Sequence, residues 1–98
     1  MESIDRKFKI IATSVVKGNV YTDEEGVFFK AADAAFDRDV MDAYKRAAIK
    51  LGAAQRQILG IELLTERIER YKAKHPQLVK VPDVDVGEEE MIVNRPNE

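Results

Sequence analysis

The sequence predicts an α+β fold, in which a small N-terminal antiparallel sheet precedes an antiparallel helical hairpin and an extended acidic tail. Residues 7–30 contain β-branched and aromatic stretches separated by turn signals, as strands and hairpins do. Apolar residues then recur at helical spacing over about 33–51 and again over about 54–74. A hydrophobic content of 45% across 98 residues suffices for one domain, which we place at 1–75, with the tail at 76–98.

The amino-terminal third predicts strands near 7–16, 19–22 and 26–30. Gly18 lies in a turn signal between the first two strands, and a polar loop of hairpin length separates the second from the third. A helix over residues 4–17 is an alternative, because four apolar residues also recur there at helical spacing: Ile4, Phe8, Ile11 and Val15. The β-branched residues of this segment lower its helix propensity, so we favour the strand.

The two helices are predicted from apolar stripes of different width. The first stripe is Phe36, Val40, Ala43, Tyr44, Ala47 and Leu51. The second is Ile58, Ile61, Leu64, Ile68 and Tyr71. Gly52 suits the turn between the helices, and His75-Pro76 ends the second helix. Leu59 and Leu63 widen the second stripe beyond what one hairpin covers, so we expect a homo-oligomer, although both leucines packed inside the fold remain an alternative.

The junction Leu51–Glu62 resembles the core of phage-repressor-like helix-turn-helix domains. The residues that carry the resemblance are Ala48, Gly52, Ile58 and Ile61. It implies DNA binding, with side chains at the start of the second helix reading bases and cations at the end of the first contacting phosphates. The residues with these roles would be Gln55, Arg56, Gln57, Lys45, Arg46 and Lys50. Leu59 and Gly60 are poor readers of base edges and the net charge is −2, so DNA binding is the alternative hypothesis.

The segment Gly26–Asp33, which leads into the first helix, resembles the strand-to-helix entry of many small uncharacterised phage and prophage proteins. The resemblance implies a compact accessory protein, such as an inhibitor of a host or defence protein. An inhibitor of this kind occupies a surface of its partner and needs no active site. Sequestration of a small nucleotide between subunits is a third, more remote hypothesis.

The sequence contains no recognisable catalytic, cofactor-binding or metal-binding pattern. The single histidine, His75, precedes a helix-breaking proline, the five glycines are isolated, and no Glu-x-x-His motif occurs. Cysteine is absent, no apolar run approaches the ~18 residues that span a membrane, and no apolar leader follows Met1. We therefore expect a cytoplasmic, non-enzymatic protein without cofactor, metal or membrane association.

Charge separates the tail from the rest of the chain. Residues 76–98 carry a net charge of −4, which leaves +2 for residues 1–75. Three glutamates precede a short apolar segment, Met91-Ile92-Val93, which suits a docking peptide as well as a tail held loosely on its own domain. The predicted function is protein binding, and the predicted contact residues are Gln55, Arg56, Leu59, Leu63, Asp83, Asp85, Glu88, Glu89 and Glu90.

Overall fold

The computed structural model describes residues 2–84 and 86–93. The chain divides into two compact units, Met1–Phe28 with Asp83–Glu98, and Phe29–Pro82. The elements are β1 (Ile11–Thr13), β2 (Val20–Thr22), α1 (Arg38–Lys50), α2 (Gln55–Lys74), a 3-10 turn (Pro76–Leu78) and α3 (Val86–Val93). A two-stranded antiparallel sheet followed by helices confirms the predicted α+β class.

The two strands form an antiparallel hairpin in the first unit, with Ala12 opposite Tyr21 at the centre of the register. Gly18 in the connecting turn has a φ of 74°, a left-handed conformation that glycine adopts without strain. Strand β1 is shorter than the strand predicted at 7–16. No residue of 4–17 is helical, so the helical alternative is wrong.

Asp5 explains why the strand predicted at 26–30 is not formed. Its carboxylate accepts backbone N–H bonds from Lys7 at 3.0 Å and from Phe8 and Phe28 at 2.8 Å each. A backbone N–H that is bound to this side chain cannot also pair with a neighbouring strand, and residues 26–30 follow an irregular path. The rings of Phe8 and Phe28 meet edge to face with centroids 5.0 Å apart, which adds an aromatic contact to the same node.

Burial raises the pKa of Asp5, but the hydrogen bonds from Phe28, Phe8 and Lys7 lower it by more, so the pKa lies below its ordinary value. A carboxyl with a lowered folded-state pKa contributes stability above its unfolded pKa and loses that contribution as the pH falls through the folded one. We expect Asp5→Asn to destabilise the first unit at neutral pH by about 1 kcal/mol, because an amide oxygen is a weaker acceptor than this partly exposed carboxylate.

The difference between Asp5→Asn and the wild type should narrow as the pH falls from about 5 to about 2, where the wild-type carboxyl is protonated as well. Thermal unfolding followed by circular dichroism across this range measures the difference. Glu24→Gln is the matched control, since the exposed Glu24 carboxylate makes no hydrogen bond within the described residues. The role of Asp5 is contradicted if both variants respond to pH in the same way.

In the second unit, α1 and α2 form an antiparallel helical hairpin. Arg38 at the start of α1 contacts Glu69, and Lys45, two turns further along α1, contacts Glu62. From the first contact to the second, the residue number rises by seven on α1 and falls by seven on α2, so the helices run antiparallel. Gly52 in the turn has a φ of 82°, and its N–H donates to the carbonyl of Ile49 at 3.0 Å.

Helix α1 begins at Arg38 instead of near residue 33, because the residues before it make other contacts. Asp33 forms an isolated parallel bridge with Lys80, which brings the chain after α2 beside the chain before α1. Asp37 is the N-cap, and its carboxylate accepts the N–H groups of Asp39 at 3.1 Å and Val40 at 3.4 Å.

The core of the second unit is small. Among the described residues, the buried apolar side chains are Met41, Ile61 and Ile68, and Thr65 is buried between the two isoleucines of α2. The Thr65 hydroxyl donates to the carbonyl of Ile61 at 2.8 Å, which satisfies its one donor inside the helix. Helix α1 thus turns Met41 inward, whereas Val40 and Tyr44 of the predicted stripe are exposed and Phe36, just before α1, packs against the core.

The predicted extended tail is partly helical. Residues Pro76–Leu78 form the 3-10 turn, and Val86–Val93 form α3. Glu88 and Glu89 lie in the first turn of α3, where carboxylates favour the positive end of the helix dipole. Lys7 pairs with Glu88 at 3.5 Å and donates to the carbonyl of Asp83 at 2.8 Å. These contacts attach the start of α3 to the N-terminal segment of the same unit.

Candidate protein-interaction groove

An apolar groove of about 530 Å³ lies on one side of the helical hairpin. Its walls are Phe29, Phe36, Val40, Tyr44, Gly60 and Leu64. The buried side chains of Met41 and Ile61 also line it, so the groove opens directly onto the core. Gln57 and Arg67 complete the lining, and we call the surface formed by these ten residues the apolar groove.

Local structure places the walls of the apolar groove. Val40 and Tyr44 are four residues apart on α1 and therefore project from the same face. Phe29 stacks on Phe36, with ring centroids 5.3 Å apart. Phe29 and Tyr44 are each 58% exposed, which is high for aromatic side chains that line a concave apolar surface.

Gly60 lines the apolar groove on α2 without a side chain. Glycine inside a helix costs about 1 kcal/mol relative to alanine, because it has more backbone entropy to lose. A Cβ built at Gly60 meets no atom of the described residues within 4 Å, so packing among those residues does not require a glycine here. The missing side chain leaves the backbone of α2 open to close approach from outside.

The ion-paired charges of the hairpin lie outside the apolar groove, along another edge of the two helices. Arg38 donates to Glu69 through Nε at 3.0 Å and Nη2 at 2.6 Å, and through Nη1 to Glu62 at 3.1 Å. Its Nη1 also lies 3.5 Å from Asp42, and Lys45 pairs with Glu62 at 3.1 Å. Two cations of α1 and two carboxylates of α2 therefore join the helices along one edge, and Asp42 adds a contact within α1.

These ion pairs hold their members in the charged form. The hydrogen bonds from Arg38 lower the pKa of Glu69, and those from Lys45 and Arg38 lower the pKa of Glu62. The same bonds, with Glu69 first, raise the pKa of Arg38 above its ordinary value. Groups held charged near neutral pH suit a structural role better than proton transfer.

The sequence-predicted contact residues of α2 all lie at the surface. Gln55, Arg56 and Gln57 form its exposed first turn, and Gln57 also reaches the apolar groove. Leu59 and Leu63 are 57% and 41% exposed on the side of α2 that faces away from Ile61 and Ile68. The alternative in which these leucines pack inside the fold is wrong.

The residues assigned to DNA binding are divided by the structure. Lys45 pairs with Glu62 and is already engaged, whereas Arg46 and Lys50 are exposed on α1. A helix-turn-helix brings its helices together at a steep angle near the turn. Here the contacts continue along two turns of each helix, which is the arrangement of a helical hairpin.

The tail acids lie in the other unit. Glu88 is paired with Lys7, Glu89 and Glu90 are exposed on α3, and Asp85 lies outside the described residues. His75 packs its ring against Tyr71 at the end of α2, with centroids 4.6 Å apart. Within residues 2–84 and 86–93, no three acidic or histidine side chains are grouped to hold a metal ion, and no helix is long and apolar enough to cross a membrane.

Sequence reasoning missed the apolar groove, although one signal pointed to it. A glycine in the middle of the strongest helical pattern, far from either end, calls for a packing or functional reason. The stripe that predicted the first helix includes Val40 and Tyr44, and these two residues form the wall of the groove on α1. In comparisons with known proteins, the chain matches no protein-family model, no curated sequence and no solved structure.

Proposed function

We propose that this chain is a non-catalytic protein-binding module, a small accessory or inhibitor protein of the phage type that occupies a surface of its partner. The observation that carries the proposal is the apolar groove, with Gly60 in its lining. A contiguous apolar surface that is exposed and concave usually marks a binding site, whereas apolar residues exposed singly do not.

Gly60 supports a protein partner in particular. Its cost in helix stability is not offset by packing among the described residues, since none of their atoms lies within 4 Å of a Cβ built there. A bound side chain or backbone that packs against α2 at this point would offset the cost in the complex. The exposed aromatic walls, Phe29 and Tyr44, are the residue types that dominate binding energy in protein interfaces.

The charges around the groove indicate the chemistry of the partner. Among the described residues, Arg67 is the one charged residue that lines the groove, and no carboxylate does. Arg67 makes no ion pair within the described residues, so its charge is available to a ligand. A partner segment with one or two large apolar side chains flanked by aspartate or glutamate would fit both features.

Peptide display against the wild-type protein tests this proposal. The selected peptides should carry large apolar residues beside acidic ones, and their affinity should fall at least about tenfold on Gly60→Glu, which blocks the groove and repels an acidic ligand. Ala73→Glu is the matched control, because it adds the same charge at an exposed site on the same helix. Fluorescence anisotropy with synthetic copies of the peptides measures the affinities. Peptides that bind Gly60→Glu as well as the wild type, or a selection without enrichment, would overturn the proposal.

A further inference from the structure

A second exposed face of α2 has a charge pattern of its own. Its residues are Arg56, Leu59, Leu63, Glu66 and Arg70, and we call them the outer stripe. Their spacing alternates three and four residues, as at the contact positions of a coiled coil. All five are exposed, and they lie on the side of α2 away from the buried Ile61, Thr65 and Ile68.

The charged members of the outer stripe are without ion pairs inside the described part of the chain. Glu66 and Arg70 are four residues apart, a spacing that favours a salt bridge, yet they form none. Arg56 also has no partner there. The edge of the hairpin with Arg38, Lys45 and Glu62 pairs its charges closely, whereas the charges of the outer stripe stay available to a second chain.

We infer that the outer stripe is the contact surface for a second copy of this chain, packed antiparallel along α2. In a two-fold arrangement centred near Ile61, Leu59 meets Leu63 of the second copy and Leu63 meets its Leu59. Arg56 then lies beside Glu66 of the second copy at both ends of the leucine layer. Antiparallel coiled-coil packing places alternate contact positions opposite each other in this way.

The charges decide the direction of the pair. A parallel arrangement would place Arg56 against Arg56, Glu66 against Glu66 and Arg70 against Arg70, and like charges at facing positions are unfavourable. The antiparallel arrangement replaces two of these clashes with two opposite-charge pairs. The outer stripe is thus complementary to itself in one direction only.

The expected dimer is weak. It would bury two leucines from each copy, and Leu59 and Leu63 are already about half covered in the monomer. This apolar area is small against the loss of translational and rotational freedom, so we expect a dissociation constant on the order of 0.1 mM. The apolar groove lies on a different face of α2, so dimerisation and peptide binding can succeed or fail independently.

Sedimentation equilibrium from about 10 μM to about 1 mM tests the inference. The wild type should shift from the 11.1 kDa monomer towards twice that mass as its concentration rises. Arg56→Glu and Glu66→Arg should each weaken dimerisation about tenfold or more, since each places like charges at both ends of the leucine layer. The double variant, with the charges exchanged, should recover to within about threefold of the wild type.

Arg46→Glu is the matched control, because it reverses an exposed arginine on α1 that makes no ion pair with any described residue and lies outside the outer stripe. Circular dichroism checks that every variant keeps its helices. The inference is overturned if the wild type stays monomeric up to about 1 mM, if Arg46→Glu weakens the dimer as much as the stripe variants do, or if the double variant does not recover. The peptide affinity of the apolar groove is measured on the same variants and should be unchanged.

Discussion

Ile61→Ala is expected to destabilise the helical hairpin by about 2–5 kcal/mol, the range for truncating a buried isoleucine. Ile61 is 4% exposed and packs in a cluster with Met41 and Ile68, the buried apolar side chains of the described residues. Removing three carbons here takes away a large part of a small core and leaves a cavity between α1 and α2. Since small domains are stable by about 5–15 kcal/mol, the loss is a large fraction of the total.

Urea unfolding followed by helical circular dichroism measures this effect. The matched control is Ile49→Ala, the same substitution at a side chain on α1 that is 52% exposed. We expect the control to lose less than about 1 kcal/mol, since little buried area changes. Equal losses at both positions would mean that the hairpin is not held by the cluster around Ile61.

The sequence predicted the helical hairpin because its signals are local. Apolar spacing, the glycine turn at Gly52 and the proline after His75 each act within a few residues. Helix α2 formed close to its expected limits, and α1 ended close to its expected end. The side of α1 that packs against α2 was not predictable in the same way. Met41 and Ala48 face α2, while the more apolar stripe through Val40 is left at the surface.

Long-range contacts account for the other differences. The strand expected at 26–30 is absent because the carboxylate of Asp5, twenty-three residues away, takes the N–H of Phe28. Helix α1 starts later than predicted because Asp33 forms a β-bridge with Lys80. Contacts between residues so far apart leave no periodic trace in a single sequence, so neither was predictable from spacing.

Gly52 and Gly60 should respond to the same substitution with opposite sign. Gly52 has a φ of 82°, where an alanine is strained by contact between its Cβ and the backbone, so Gly52→Ala should destabilise the hairpin by about 1–2 kcal/mol. Gly60 lies in regular helix with open space beside it, so Gly60→Ala should stabilise the hairpin by about 1 kcal/mol. Urea unfolding of the two variants gives both values.

The variants Gly52→Ala and Gly60→Ala distinguish two reasons for having a glycine in this chain. At Gly52 the backbone requires it, because the turn between α1 and α2 is left-handed at that point. At Gly60 the fold does not require it, and a gain in stability on Gly60→Ala would mean that the glycine is kept at the expense of the monomer. The same variant should bind the selected peptides less tightly than the wild type, because its methyl group enters the apolar groove. Destabilisation by Gly60→Ala would show instead that the glycine serves the fold, and the case for the groove would lose its main support.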